Sequence, residues 1–351
     1  MKAFTYTALP TRVVFGAGAL EKLGEEIERL GAQRALVLST PEQRASAEDI
    51  ARRIGARAAG IYDRAVMHVP IEAAADARRV AADLKADCCV AIGGGSTTGL
   101  GKAIALTSSL PILAIPTTFA GSEMTPIQGI TADGVKKTVR DLRMLPKTVI
   151  YDPTLLLTLP ARIAGPSGIN GIAHAVEALY AQEANPITSI MAEEGIRALA
   201  QSLPGVVREP RNLEARTEAL YGAWLAGLCL GTVGMALHHK LCHTLGGTFN
   251  LPHAETHTIV LPHATRYNAP AAVDAMKRVA RALGAADAAT GLYELAKAVG
   301  APLALRDIGM PADGLDRAAD LAVTNPYWNP QPLDRGAIRA LLQAAWEGRR
   351  P

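Results

Sequence analysis

Residues 238–263, HHKLCHTLGGTFNLPHAETHTIVLPH, hold six of the chain's eight histidines: His238, His239, His243, His253, His257 and His263. Imidazole titrates near neutrality and ligates metals as the neutral ring, so this density points to proton transfer, metal binding or both. His239 and His243 are four apart and share one face of a helix. Leu245 precedes Gly246-Gly247, which fits a helix C-terminus; Pro252 fits the first position of the next helix, with His253 beside it. In the segment GINGIAHAVE, Asn170 and His174 have the same i, i+4 spacing and place an amide and an imidazole on one helix face.

The elements that must position these residues divide the chain in two. A length of 351 residues suggests two domains. Up to about Pro160 short apolar runs alternate with helical segments. The strands expected are 34–39, 59–62, 88–92, 112–115 and 148–151, with helices at 42–54 and 71–84. Continuous apolar strands between helices indicate a parallel α/β sheet. Residues 128–131 and 136–139 flank Ala132-Asp133-Gly134, a hairpin signal. From about Ala161 only helical periodicity remains, at 172–182, 189–202, 213–245, 253–261, 271–283, 288–299 and 335–347. Residues 221–245 are apolar on every side, as in a helix at the centre of a bundle. The expectation is an α/β domain over 1–160 and an all-helical domain over 161–351, with a ligand in a cleft between them.

Two loops of the first domain carry nucleotide-binding chemistry. VAIGGGS runs from a strand through Gly94, Gly95 and Ser96 into a helix containing Lys102. Glycines let backbone N–H groups approach phosphate oxygens, and the helix N-terminus favours their charge. A glycine triplet also serves as a plain strand-to-helix turn. IPTTFAGSE follows the next strand and so lies at the same carboxyl edge of the sheet, where open α/β sheets bind ligands. Its Thr117, Thr118 and Ser122 can donate to phosphate or ribose. The first βα turn offers Ser39 and Thr40 in place of an acid, so no carboxylate there repels a 2′-phosphate; NADH and NADPH both stay open.

FGAG near Gly16, GGGS, PTT with GSE, LPKTVIYDP, the Asn170–His174 segment and H-x3-H-x9-H from His239 to His253 together resemble the iron-containing alcohol dehydrogenase family over nearly the whole chain. The resemblance implies a dehydroquinate synthase-like fold: an N-terminal nucleotide-binding α/β domain plus an all-α C-terminal domain. It implies NAD(P) bound between the domains, with a divalent metal beneath the nicotinamide. The family's ligands, an Asp and three His, fall on Asn170, His174, His239 and His253. A further histidine near the substrate falls on His243, and Lys137 is a cofactor contact by family position.

The departures narrow the expectation. Asn170 replaces the Asp ligand, Gly99 the Asp after GGGS, and Lys240 a glycine, and the threonine loop is one residue short. With these departures the chain resembles a branch that reduces the conjugated C=C bond of maleylacetate to 3-oxoadipate in aromatic catabolism and works without a metal. Asn is a poor ligand for a first-row cation, although three imidazoles alone can hold zinc. Hydride addition to a C=C bond conjugated with a ketone spreads charge over an enolate, which preorganised donors can stabilise. His174, His239, His243 and His253 are the candidate donors, His243 foremost for proton transfer. Lys240 and His238 are candidates to pair with a carboxylate of the substrate. Two enzymatic alternatives are a metal-dependent alcohol or polyol dehydrogenase and a dehydroquinate synthase-like lyase. A nucleotide sensor leaves the histidines unexplained.

A net charge of +3 with no block of five like charges gives no reason to expect nucleic acid. Four scattered cysteines form no disulfide framework. No signal peptide or membrane span is expected, which fits a cytoplasmic protein, and a homodimer is the family's expectation.

Overall fold

A computed structural model describes residues 3–66, 69–132 and 135–351. The chain divides into a unit of Leu9–Leu157 and a unit of Thr158–Pro351, with which the described residues up to Ala8 cluster.

The first unit is a six-stranded parallel sheet in the order Arg12–Phe15, Thr148–Tyr151, Ile112–Pro116, Cys88–Gly93, Ala35–Leu38, Ala58–Tyr62. Its strands are β1 Arg12–Phe15, β2 Ala35–Leu38, β3 Ala58–Tyr62, β4 Cys88–Gly93, β5 Ile112–Pro116 and β8 Thr148–Tyr151. The helices are α1 Leu23–Arg29, α2 Arg44–Ile54, α3 Ile71–Asp83 and α4 Gly95–Ser108. Alternate strand residues feed opposite cores. Val37, Val90 and Ile92 join α1 and α2, while Leu36, Leu38 and Ala91 join α3 and α4. Both faces are therefore covered, which is why the strands read as unbroken apolar runs. Strand β1 carries no sequence signal, because it is an edge strand in which only Val14 is buried. β6 Ile127–Ala132 pairs antiparallel with β7 Val135–Arg140. The expected Asp133-Gly134 turn lies outside the described residues.

The second unit is helical: α5 Ala161–Tyr180, α6 Pro186–Arg208, α7 Leu213–Thr232, α8 Leu237–Phe249, α9 His253–Asn268, α10 Val273–Leu283, α11 Ala288–Ala298, α12 Gly314–Val323 and α13 Arg335–Glu347. Three expectations need correction. First, α5 begins eleven residues before Ile172, running through Gly165-Pro166-Ser167-Gly168. A Cβ on Gly168 would stand 2.4 Å from Leu203, so this glycine serves close packing against α6 rather than ending a helix. Second, the expected single helix over 213–245 is two, α7 and α8, bent by 94°. Carboxylates take the donors freed at the break: Gly234 N–H donates to Glu183, and Ala236 N–H to Glu177. Third, α8 passes through Gly246-Gly247 and ends at Asn250, which has a left-handed φ of 52°. Among the described residues no single helix is long and apolar enough to cross a membrane.

Candidate functional site

In the first unit the chain returns from β3 to β4, so β2 has β3 on one side and β4 on the other. This reversal opens a crevice at the carboxyl ends of β2 and β4. Ser39 and Thr40 follow β2, and Gly93, Gly94, Gly95 and Ser96 join β4 to α4. Gly93 has φ +150°, and a Cβ there would meet Thr97 Oγ1 at 2.4 Å and Gln43 Oε1 at 2.8 Å. A Cβ on Gly94 would meet Thr118 at 3.0 Å. Gln43 Nε2 donates to Thr117 Oγ1 at 2.8 Å, and Thr117 N–H donates to the Gly93 carbonyl at 3.0 Å. The glycine and threonine loops are thus fastened to each other. Above them the first-turn N–H groups of α4 have no intrahelical acceptor and no side-chain cap at Gly94. These features fit a phosphate.

Two cofactor candidates stand differently. Ser122 does not offer a free hydroxyl: its Oγ and its carbonyl accept from the buried Lys102 ammonium at 3.1 and 2.7 Å. Lys102 also donates to Thr125 Oγ1 and the Ile127 carbonyl, each at 2.8 Å, and burial lowers its pKa to about 7. It holds the loop together. The Lys137 side chain lies outside the described residues.

In the second unit Asn170 and His174 lie one turn apart on α5, both buried. The His174 ring centroid is 5.1 Å from that of His239, which is 6.0 Å from that of His243. His253 starts α9 with its ring 4.3 Å from His257, and His257 is 4.9 Å from His239. His174, His239, His243 and His253 therefore belong to one chain of rings. Burial, then the neighbouring His239 and His253, lowers the His174 pKa well below the usual histidine range. Lys240 is half-buried, its ammonium 6.0 Å from the Tyr327 ring centroid, and burial lowers its pKa.

His238 does not belong with a substrate carboxylate. Its side chain is fully buried, Nε2 lies 3.0 Å from His257 Nδ1, and Cys242 Sγ lies 3.7 Å from the same nitrogen. Burial holds both rings well below the usual histidine range, hence neutral. Neighbouring residues on a helix point about 100° apart. His239 therefore meets His174 and His243, while the His238 ring, 5.2 Å from His239 and 4.8 Å from His257, is enclosed between His257 and Cys242.

Sequence reasoning missed two partners. Glu177, fully buried, places Oε2 2.7 Å from His239 Nδ1. It lies three residues after His174 and seven after Asn170 on one face of α5, a spacing that could have found it. Tyr327 Oη lies 2.9 Å from His243 Nδ1. It comes from an irregular segment 84 residues away, which carries no sequence signal.

Asn170 Oδ1, His174 Nδ1 and His239 Nε2 are buried acceptor-capable atoms with no hydrogen-bond partner among the described residues. With His253 they are the atom types that ligate a divalent cation, but none of the four groups is a carboxylate, and the carboxylate of Glu177 stands behind His239.

Residues 10–153 match the family model for iron-containing alcohol dehydrogenase, and residues 165–346 match its C-terminal counterpart. The chain belongs to the iron-containing alcohol dehydrogenase family and is an oxidoreductase. It is 61% identical to maleylacetate reductase of Burkholderia cepacia over 100% of both chains. It is 57% identical to maleylacetate reductase of Sphingobium indicum over 99% of each. The crystal structure of maleylacetate reductase from Agrobacterium tumefaciens superposes with a TM-score of 0.95 at 53% identity, covering 100% of both chains.

Proposed function

We propose that this oxidoreductase catalyses the NAD(P)H-dependent reduction of the conjugated C=C bond of maleylacetate, giving 3-oxoadipate in the catabolism of aromatic compounds. The observation that carries this reading is the full-length likeness, 61% in the first case, to relatives named for that substrate. The arrangement of imidazoles supplies a chemical reason. A reduced nicotinamide, its phosphates on Gly94, Gly95 and Ser96 beside Thr117 and Thr118, would supply hydride to one carbon of the double bond. The electron pair then moves to the ketone oxygen as an enolate, and a proton on the neighbouring carbon completes the product. Donors already in place stabilise such an oxyanion by about 3–4 kcal/mol each. His243 is the group for proton delivery, and Lys240 the cation for one substrate carboxylate.

A cation held by His174, His239, His253 and Asn170 would polarise the ketone. The uncharged donor set favours weak holding, and the expected reduction does not depend on a tightly bound metal. The reading extends to a homodimer in the cytoplasm, with no nucleic acid or membrane as partner. Its support is the family likeness, the small net charge, and four buried cysteines that form no disulfide among the described residues.

The test is oxidation of NADH and NADPH with maleylacetate, before and after a strong chelator, with metal analysis of the same protein. Turnover that survives chelation is expected. Stoichiometric zinc or iron, with activity lost on removal and restored on return, would refute the metal reading. Oxidation of an alcohol without reduction of maleylacetate would refute the substrate. Asn170→Asp should tighten divalent-metal binding by about tenfold, roughly 1.4 kcal/mol, in a calorimetric titration.

A further inference from the structure

His239 and His243 project from one face of α8, yet their Nδ1 atoms meet partners of opposite character. His239 Nδ1 lies 2.7 Å from Glu177 Oε2. The Ala236 N–H donates to that same oxygen and the His238 N–H to Oε1, both at 2.7 Å. Backbone N–H groups can only donate, so both carboxylate oxygens act as acceptors. The hydrogen shared by Glu177 and His239 therefore sits on Nδ1. A neutral imidazole with hydrogen on Nδ1 carries its lone pair on Nε2.

His243 Nδ1 lies 2.9 Å from Tyr327 Oη. A phenol can donate where a carboxylate cannot. Among the described residues Tyr327 Oη meets no other hydrogen-bonding group, so donation to Nδ1 is what satisfies its hydrogen. His243 then has its lone pair on Nδ1 and its hydrogen on Nε2.

Both partners are fixed to the start of α8. Glu177 accepts from Ala236 and His238. The residue between them, Leu237, donates its N–H to Asn329 Oδ1 at 3.3 Å. Asn329, two residues after Tyr327, also exchanges amide hydrogen bonds with Asn268, at 3.0 and 2.7 Å. Three successive N–H groups at one helix N-terminus thus anchor the residues that address its two catalytic candidates.

We propose that Glu177 and Tyr327 are positioning residues that hold His239 and His243 in opposite tautomers, so that one face of α8 offers a lone pair at His239 and an N–H at His243. His239 is the acceptor, suited to a cation or a substrate hydrogen. His243 is the donor, suited to the oxygen where charge gathers as hydride adds. The role of His243 rests on the reduction proposed above; the tautomers do not.

Neutron diffraction from deuterium-exchanged crystals of the full-length protein at neutral pH reads the tautomers without substrate. Deuterium is expected on Nδ1 of His239 and on Nε2 of His243. Deuterium on Nδ1 of His243, on both its nitrogens, or on Nε2 of His239 overturns the proposal. Tyr327→Phe keeps the ring and removes the hydroxyl. It should lower kcat with maleylacetate by about 10- to 100-fold, leave KM and Tm unchanged, and put deuterium on Nδ1 of His243 in part of the molecules. An unchanged kcat and tautomer in that variant overturns the role of Tyr327. If the parent does not turn over maleylacetate, the substrate reading fails while the neutron result still decides the tautomers.

Discussion

The glycine and threonine loops and the imidazole cluster are built by different means. In the loops the groups on offer are backbone N–H groups, and the fastening is short: Gly93, Gly94, Thr117 and Thr118 hold one another at adjoining strand ends. In the cluster the chemistry is carried by side chains whose roles depend on partners far along the chain. Glu177 is 62 residues from His239, and Tyr327 is 84 from His243. A site made of backbone is set by local conformation. A site made of imidazoles needs a second set of residues to decide which nitrogen bears the hydrogen.

The comparison breaks most readily at Glu177. Glu177→Leu leaves the Ala236 and His238 N–H groups buried without acceptors, at about 1–3 kcal/mol each. Chemical or thermal unfolding should show a loss of about 3 kcal/mol or more, confined to the helical unit. A loss no larger than that of an ordinary surface substitution would show that the carboxylate is not what holds the start of α8. Gly93→Ala should come next, at about 1–3 kcal/mol for a strained backbone. A Cβ there would press on Thr97 and Gln43, so nucleotide binding measured by calorimetry should weaken as well. Unchanged affinity would mean that the loop's shape tolerates a side chain and the backbone account is wrong. The smallest effect is expected at Ser122→Ala, because that hydroxyl already serves Lys102. Nucleotide affinity should change by less than about threefold, roughly 0.6 kcal/mol. A larger loss would return Ser122 to the list of direct contacts.

The same contrast explains what could be read in the sequence. Strands β2, β4, β5 and β8 are buried throughout and appear as apolar runs. The two loops follow from their position after such strands. The histidines were legible by density, and Asn170 with His174 by spacing, because a helix converts i, i+4 into a shared face. What stayed hidden was decided elsewhere in the chain. His238 could be sorted from His239 only by knowing which side of α8 faces the core. Tyr327 reaches His243 from an irregular segment held by an amide pair, Asn268 and Asn329, that no local pattern announces. The break after α7 depends on Glu177 and Glu183 capturing its donors, so the apolar run over 213–245 reads as one rod when it is two.

That break has a bearing on how the chain can vary. In one continuous rod, adding or deleting a single residue in α7 would swing His239 and His243 by about 100° around the axis. The 94° bend removes this phase lock. The azimuth of α8 is referenced instead to Glu177 and Asn329, at its own first turn. Helix α7 is then free to drift in length and register as its neighbours repack, and the imidazoles keep their bearing.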